Sequence, residues 1–428
     1  MKTYYYPKKS VWREIVERPT FETTNLETVV SKILDEIKVE GDIAVRRYTQ
    51  KFDNADVSVS RVSVEELDRA ESEVSDELKQ AIKIAKANIE KFHLSQIEEK
   101  KVVETTKGVL CWRESRPIER VGLYIPGGTA PLFSTVLMLA IPAKIAGCRE
   151  IVLCSPPDAN GEINPAILFT ARLCGVENIF KIGGVQAVGA MAFGTETVPK
   201  VDKIFGPGNQ YVTQAKQLVA RNGVALDMPA GPSEVGVLAD ETAIPGFVAA
   251  DLLSQAEHGI DSQVLLITTS KNLIEETQIE LQQQLAVLPR LEIAAKALQN
   301  SRLVLVEDIQ HAIDLMNEYA AEHLIIACKD SEIVADKIIS AGSIFLGNYS
   351  CESAGDYASG TNHTLPTNGY ARTFSGVSID SFVKKVTFQK LSAEGIKNLG
   401  TTVEIMAEAE HLQAHKNAVT LRLREIER

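Results

Sequence analysis

The spacing of apolar residues divides the chain into three parts. Up to about residue 100, apolar residues recur every three or four positions, as in residues 30–53 and 76–100, and this period predicts amphipathic helices. From about residue 120, short apolar runs alternate with helical stretches. This alternation predicts parallel sheets with crossover helices, because a parallel strand needs a long connection back to the same edge of the sheet. From Ile379 to Arg428 the spacing is helical again.

The apolar runs fall into two series, which predict two doubly wound, Rossmann-like α/β units. The first series has the runs VGLYIP (121–126), EIVLCSPP (150–157), NIFKIGG (178–184) and VDKIFGPG (201–208). The second series has the runs VGVLAD (235–240), QVLLITT (263–269), RLVLVE (302–307), HLIIAC (323–328) and SIFLG (343–347). A loop rich in Gly, Ser, Thr and Asn follows at residues 348–376, and long ordered loops of this kind usually serve a function.

Charge and composition narrow the class of ligand. The 428 residues include 45 basic and 57 acidic side chains, a formal net charge of −12, and no long run of Lys or Arg. This balance argues against nucleic acid as a partner and favours a small polar ligand. The first residues are charged and contain no apolar signal segment, so we expect a cytoplasmic location. Six cysteines without CxxC spacing predict reduced thiols rather than disulfides or a thiolate metal site.

One uncharged stretch, residues 121–143, is long enough to cross a bilayer. It contains Pro126, Gly127, Gly128 and Pro131, which would break a helix near its start. We therefore expect a buried strand, a glycine turn and a buried helix here, and no membrane partner.

Three strand–glycine–helix junctions lie in the first series: YIPGGTAP (124–131), IGGVQAVGA (182–190) and GPGNQY (206–211). None has the full G-x-G-x-x-G pattern of dinucleotide-binding folds; GPGNQY has Tyr211 where the third glycine belongs, although Asp227 follows where a ribose-binding acid might lie. Each junction is compatible with a plain tight turn or with backbone N–H groups directed at phosphate. Three of them in one unit favour a phosphate-bearing ligand along that edge.

Glu-His occurs three times in a chain with only seven histidines, in QAEHG (255–259), AAEHL (320–324) and AEHLQAH (409–415). The helix that starts near Ile244 is predicted to end at His258, with Gly259 in a left-handed capping position. Gln255 and His258 then share a helix face. A lone histidine at such a position is more often a helix-end residue than a ligand.

The other two pairs offer further candidates. Spacing alone predicts that His411 and His415, four apart on one helix face, both bind metal. Asp356 lies in a glycine-flanked loop that could bring its carboxylate to the same ion. Glu322 and His323 open a buried strand, so their side chains should point to opposite faces unless the strand starts just after them. A neutral imidazole is the best single candidate for a general base.

Taken together these segments resemble the L-histidinol dehydrogenase family along nearly the whole chain. The resemblance depends on long strings in a fixed order: YIPGGTAPLFSTVLMLAIPAKIAG, GGVQAVGAMAFGT, FGPGNQYV, PAGPSE, DLLSQAEHG, AAEHL, SAGDYASGTNHTLPT and AHKNAVTLR. It implies oxidation of L-histidinol to L-histidine through L-histidinaldehyde, with two NAD molecules reduced. It also implies one Zn²⁺ per site and a homodimer whose sites use residues of both subunits.

The resemblance also assigns roles to individual residues. The implied metal ligands are Gln255, His258, Asp356 and His415, the last of them from the other subunit. The implied proton acceptors are Glu322 and His323, and the implied NAD-binding residues are Tyr124, Gln186 and Asn209. The implied substrate contacts are Ser233, His363 and Glu410 together with Gln255, His258, His323, Asp356 and His415. His411 then becomes a helix residue without a role.

The resemblance implies an interleaved division of the chain. A first α/β domain takes residues 24–120 and 236–378, and a second, NAD-binding domain takes residues 121–235. Residues 1–23 and the helical residues 379–428 form a tail that embraces the partner and completes its site. Two other readings stay open: a zinc hydrolase, in which the metal and the Glu-His pair activate water, and a catalytically silent zinc-stabilised dimer.

Overall fold

The N-terminal part of the chain is mainly helical, as its apolar period predicts. The computed structural model describes residues 1–19, 25–58, 60–127, 130–229 and 231–428. The first elements are β1 (Lys2–Tyr5), α1 (Lys9–Ile15), α2 (Leu26–Glu40), α3 (Asp42–Asp53), α4 (Val64–Glu73) and α5 (Asp76–Leu94). In α2 the buried residues are Val30, Ile33, Leu34 and Ile37, which is the three- and four-residue spacing of one helix face.

The first predicted series forms a five-stranded parallel sheet. Its strands are β4 (Arg120–Tyr124), β5 (Glu150–Ser155), β6 (Asn178–Lys181), β7 (Lys203–Phe205) and β8 (Ala225–Leu226). They lie in the order β6-β5-β4-β7-β8, a doubly wound arrangement that changes direction between β4 and β7. The connecting helices are α6 (Phe133–Ala146), α7 (Pro165–Leu173), α8 (Gly184–Phe193) and α9 (Gln210–Ala220).

The second series forms a six-stranded parallel sheet. Its strands are β9 (Glu234–Ala239), β10 (Gln263–Thr268), β11 (Arg302–Leu305), β12 (His323–Ala327) and β13 (Ser343–Leu346), with β1 added at the edge beside β11. The order β1-β11-β10-β9-β12-β13 changes direction between β9 and β12. The helices of this unit are α10 (Pro245–Ala256), α11 (Lys271–Ala286), α12 (Leu291–Gln299), α13 (Ile309–Tyr319) and α14 (Ser331–Ala335).

All nine predicted apolar runs are therefore strands, and the α/β class with two Rossmann-like units is confirmed. The helices α2 to α5 pack around the five-stranded sheet: Val30 and Ile37 share a core with Val188, and Ile82 and Ile89 share another with Leu139. The predicted division placed these helices with residues 236–378 instead. The domain boundaries themselves stay a prediction.

A small antiparallel sheet pairs two strands that follow the N-terminal helices with one strand that precedes the C-terminal helices. It has the order β14-β3-β2, with β2 (Val102–Thr106), β3 (Val109–Pro117) and β14 (Val383–Leu391). The prediction that residues 379–428 are helical throughout is therefore wrong for β14, whose charged, half-exposed residues pair along the whole of β3. The remaining elements are α15 (Glu352–Tyr357), 3₁₀ turns at Tyr370–Arg372 and Ile379–Phe382, α16 (Ala393–Ala409) and α17 (Gln413–Glu427).

The uncharged stretch 121–143 folds as predicted into β4 and most of α6, although Gly128 and Thr129 of its glycine turn lie outside the described residues. No helix in the described part of the chain is both long and apolar enough to cross a membrane. All six cysteines are free thiols.

Candidate active site

The Glu322-His323 pair lies where the six-stranded sheet changes direction. β12 begins at His323, so Glu322 lies just before the strand, and both side chains are buried, with 6% and 3% of their surface exposed. They do not point to opposite faces: His323 Nδ1 lies 3.6 Å from Glu322 Oε2. The same nitrogen lies 3.1 Å from Gln255 Nε2 and 3.3 Å from the Glu234 carbonyl oxygen. The pair is thus held at the amino ends of β9 and β12.

Asp356 meets the other nitrogen of the same imidazole. Its Oδ1 lies 3.2 Å from His323 Nε2, which donates to it. The predicted loop around Asp356 is wrong, because residues 352–357 form the short helix α15. His363 follows in the same segment: its Nδ1 donates to the Asp356 carbonyl oxygen at 2.9 Å, and its Nε2 lies 3.2 Å from the Thr135 hydroxyl.

Gln255 and His258 come from the end of α10, but not with the predicted geometry. The helix ends at Ala256 rather than at His258, and Gly259 is not among the glycines with positive φ. Gln255 is buried, whereas His258 lies beyond the helix and is exposed. The two residues nonetheless face one region, since the charges of Asp356, His323 and His363 all act on the His258 imidazole.

The carboxylates around His323 set its protonation. Burial lowers the pKa of His323, but the Glu322 and Asp356 carboxylates outweigh it and raise the pKa well above its ordinary value. Burial raises the pKa of Glu322, and the neighbouring His323 opposes that rise. Burial also raises the pKa of Asp356, yet the hydrogen bond from His323 holds it below its ordinary range. The site therefore has a strong base between two carboxylates.

The residues around Gln255 have the properties of an incomplete metal site. The Oε1 atom of Gln255 is buried without a hydrogen-bond partner, while its Nε2 faces His323. An orphaned carbonyl oxygen next to an aspartate and a histidine suits a cation with nitrogen and oxygen ligands, such as Zn²⁺. Among the described residues of one chain, no group of three or more His, Cys, Asp or Glu is arranged to hold a metal ion. The donors present therefore fit a metal only if another chain completes the set.

Two predicted site residues, Glu410 and His415, lie in the C-terminal hairpin of α16 and α17. Neither is buried: Glu410 and His415 are exposed, and α17 has no buried residue in this chain. No hydrogen bond or ion pair joins either side chain to Gln255, His258 or Asp356. The structure therefore does not bring these two residues to the other ligands within a single chain.

The prediction that His411 lies on one helix face with His415 is wrong. His411 lies between α16 and α17 with a left-handed φ of +59°. Its N–H donates to Glu408 O at 3.0 Å, and Leu412 N–H donates to Ala407 O at 2.8 Å, the hydrogen-bond pattern of a Schellman motif. His411 thus ends α16, and only His415 lies on α17.

The three predicted NAD-binding residues line one cleft of about 880 Å³ beside the five-stranded sheet. Tyr124 ends β4 and its hydroxyl accepts from Gly184 N–H at 3.1 Å. Gln186 is fully buried in α8, and Asn209 caps α9 by accepting from the N–H groups of Tyr211 and Val212. The cleft therefore joins the three glycine junctions, as their common sheet edge predicts.

Asp227 does not have the ribose-binding position that its spacing suggests. It is buried, forms an ion pair of 2.5 Å with Lys216, and accepts hydrogen bonds from Gly206 and Met228 N–H groups. Position 206 requires glycine, because a Cβ there, at φ +123°, would lie 2.1 Å from the Tyr124 carbonyl oxygen. Ser233, a predicted substrate contact, is half-buried directly before Glu234 at the start of β9.

Several residues of the two sites carry no sequence signal. Arg18 binds the buried Glu234 carboxylate, and the Glu234 N–H donates to Glu322 Oε2 at 2.8 Å. Glu352 is buried beside Gln255 and accepts from the Ser254 hydroxyl, and burial raises its pKa to about 8. Asp53 faces Gln186 in the cleft. Their partners are distant in the sequence, so no local pattern could have identified them.

Comparison with known proteins supports the same family along the chain. The histidinol dehydrogenase family pattern matches residues 16–423. The histidinol dehydrogenase of Bacteroides fragilis is 61% identical over 426 residues, covering 100% of both chains, and that of Escherichia coli is 53% identical, covering 96% of this chain and 94% of the other. The crystal structure of histidinol dehydrogenase from Elizabethkingia anophelis matches with a TM-score of 0.99 at 60% identity, covering 100% of this chain and 99% of that one. This chain therefore belongs to the histidinol dehydrogenase family.

Proposed function

We propose that the protein oxidises L-histidinol to L-histidine through L-histidinaldehyde and reduces two NAD molecules, as a cytoplasmic enzyme of histidine biosynthesis. The observation that carries this proposal is the convergence of Glu322, His323, Gln255 and Asp356 on one buried point, in a chain of this family. The free cysteines fit the reducing compartment that the proposal names.

The proposed metal ligands are Gln255, His258, Asp356 and the partner subunit's His415. The unpartnered Oε1 of Gln255 supports a ligand role, because a buried carbonyl oxygen without a donor is costly unless something else binds it. A bound Zn²⁺ would supply a fixed positive charge that holds the substrate's nitrogen atoms and orients its alcohol. The residues of this chain then have to position the alcohol carbon beside His323. Ser233, His363 and Glu410 are the further substrate contacts that we propose.

His323 is the proposed base of both oxidation steps. Its imidazole removes the proton of the substrate hydroxyl while the hydride leaves for NAD, and the flanking carboxylates stabilise the imidazolium that results. Glu322, 3.6 Å away, accepts a proton from the water that adds to the aldehyde. His323 then removes a proton from the hydrate in the second oxidation. Both groups are buried, so their charges act with little screening by solvent.

NAD is the proposed occupant of the cleft lined by Tyr124, Gln186 and Asn209. Two successive hydride transfers require the substrate to stay while the reduced cofactor leaves. A cleft at the edge of a sheet without the full glycine pattern suits a cofactor that exchanges between the two steps.

We further propose a homodimer in which the C-terminal hairpin of one subunit completes the site of the other. In one chain this hairpin leaves large apolar side chains uncovered: Ile405, Met406 and Leu421 are 63%, 60% and 55% exposed. Several large exposed apolar side chains on one hairpin are consistent with a protein interface. The exposed position of His415 is consistent with a ligand that acts on a partner.

The direct test measures absorbance at 340 nm with purified protein, histidinol and NAD. We expect two NADH per histidine formed, and we expect His323→Asn to lose turnover while retaining bound zinc measured by mass spectrometry. Turnover of histidinol without NAD would favour the hydrolase reading. Bound zinc without any reaction of histidinol would favour the silent dimer.

Mixed dimers test the shared site separately. Subunits carrying His323→Asn and subunits carrying His415→Asn are each inactive alone under this proposal. In a hybrid dimer one site receives an intact His323 from one subunit and an intact His415 from the other. Random mixing should restore about a quarter of wild-type activity, because half of the dimers are hybrids with one intact site of two. No recovery on mixing would place His415 outside the partner's site.

A further inference from the structure

The cleft contains a carboxylate whose position the stability of the fold does not explain. Asp53 is half-buried at the last position of α3, where a negative charge is unfavourable because the helix dipole is negative at that end. It forms no ion pair with a described residue, and burial raises its pKa to about 6. Among the described residues, its one side-chain hydrogen bond is accepted from Gln186 Nε2, at 3.0 Å. A half-buried carboxylate in a cleft with no cation beside it is a candidate ligand-binding group.

Gln186 is the hydrogen-bond partner of this carboxylate. Its side chain is fully buried and lines the cleft, its Nε2 donates to Asp53, and its Oε1 has no partner. Gln186 Oε1 is buried away from the cleft, so the amide serves to hold Asp53 Oδ2 in place. The Asp53 carboxylate keeps only acceptor lone pairs for the cleft, so a ligand that binds it has to provide hydrogen-bond donors.

The Asp53 carboxylate is accessible from the cleft. Asp53 lines the cleft and is only half-buried, and Gly183 leaves room beside it, since a Cβ there would lie 3.1 Å from Asp53 Oδ1. A carboxylate has about four lone-pair sites, so it can accept from two hydroxyl groups on adjacent carbon atoms while it holds one hydrogen bond from Gln186.

We propose that the Asp53 carboxylate, held by Gln186, binds the 2′,3′-diol of the adenosine ribose of NAD and so selects NAD against NADP. This inference depends on the proposed function only in placing the dinucleotide in this cleft. The two hydroxyl groups supply donors for the lone pairs that the carboxylate has left. A 2′-phosphate would replace one donor by acceptors and bring negative charge against the Asp53 carboxylate, which is ionised at neutral pH.

The test compares wild type with Asp53→Asn for both cofactors, using kcat/KM with histidinol and the Kd values of NADH and NADPH from quenching of protein fluorescence. We expect Asp53→Asn to raise the NADP-to-NAD ratio of kcat/KM at least about tenfold, because it removes the repulsion between the carboxylate and the 2′-phosphate of NADP. The NADPH-to-NADH affinity ratio should change in the same direction. Asp56→Asn is the matched control: Asp56 is exposed, pairs with Arg46 and lies outside the cleft lining.

Several outcomes would overturn the inference. An equal loss for both cofactors would place Asp53 on the nicotinamide ribose or on no ribose at all, and an unchanged ratio would remove Asp53 from specificity. Gln186→Met provides a second variant if Asp53→Asn does not fold, and it should weaken NADH binding because it removes the hydrogen bond that holds the Asp53 carboxylate. If wild type binds neither dinucleotide, the proposed function fails; if it binds NADH and Asp53→Asn does not shift the ratio, only this inference fails.

Discussion

The buried ion pair of Arg18 and Glu234 should control both stability and the geometry of the proposed catalytic pair, Glu322 and His323. Arg18 donates from Nε to Glu234 Oε1 at 2.5 Å and from Nη2 to Oε2 at 2.9 Å, and its side chain is 12% exposed against 2% for Glu234. The guanidinium also donates to the Tyr319 carbonyl oxygen at 2.6 Å and lies 4.3 Å from the centre of the Tyr319 ring. Replacing Arg18 by Met keeps most of the apolar stem and removes every one of these bonds.

The expected loss of stability follows from the unpaired Glu234 carboxylate that Arg18→Met leaves behind. Removing one member of a buried pair leaves the other charge unpaired, which costs about 3–5 kcal/mol. Asn368 N–H still donates to Glu234 Oε1 at 2.8 Å, so we expect the lower end of that range. The Glu234 N–H holds Glu322 Oε2, and its carbonyl oxygen faces His323 Nδ1, so a shift at Glu234 displaces both catalytic groups. We therefore expect kcat to fall more than KM rises.

The assay is a thermal melt of Arg18→Met, Glu234→Gln and the double variant, each at one fixed scan rate because a chain of this size need not unfold reversibly. Arg18→Met should lower Tm by about 3–4 °C, and the double variant should be more stable than the sum of the single losses predicts. The control is Arg13→Met, an exposed arginine of α1. The reasoning is refuted if Arg18→Met and Arg13→Met have the same Tm, or if the losses of stability in Arg18→Met and Glu234→Gln simply add in the double variant.

Three further predictions concern single groups. The Glu322 carboxylate raises the pKa of His323, and the proposed base must be neutral, so activity should rise with pH through that pKa. Glu322→Gln removes this carboxylate and should move the acid limb of the pH profile of the first hydride transfer to lower pH. Burial raises the pKa of the Glu352 carboxyl from 4.5 to about 8. The folding free energy that the neutral carboxyl contributes is fully present below pH 4.5 and is lost as pH rises through 8, by roughly 4–5 kcal/mol at most. Glu352→Gln should therefore raise Tm at pH 9 and change it little at pH 5. His411→Gly should raise the free energy of unfolding by about 0.5–1 kcal/mol, because His411 has a left-handed φ that costs little for glycine. A thermal melt measures this, and an unchanged or lower Tm would contradict it.

The strands were predictable where each is buried on both faces. β9 and β10 have every residue buried, and such a strand is a continuous apolar run in the sequence. β1 and β14 could not be found in this way, because they lie at sheet edges and carry lysine and half-exposed residues. Their pairing depends on which distant strand is free, and the local pattern does not contain that information.

The site could be predicted only where a residue acts through its own side chain in a family motif. His323 and Asp356 belong to such motifs, and the structure brings them to 3.2 Å. Glu234 contributes through its backbone N–H and carbonyl oxygen, which every residue type has, so its role leaves no mark in the sequence. The predicted end of α10 is wrong because the helix ends two residues before His258.

Asp227 and Asp53 show how the structure separates a functional buried carboxylate from a structural one. Motif spacing pointed to Asp227 for the ribose, but Lys216 and two backbone N–H groups satisfy both of its oxygens, so it has no capacity left for a ligand. Asp53 has no spacing signal and is separated from Gln186 by 133 positions, yet it lines the cleft, and the hydrogen bond from Gln186 occupies only Oδ2. Its carboxylate therefore keeps acceptor capacity for the ligand that we propose. A buried atom without a partner does not by itself mark a ligand site, because Gln263 Oε1 and Thr277 Oγ1 are also without partners among the described residues and have no proposed ligand.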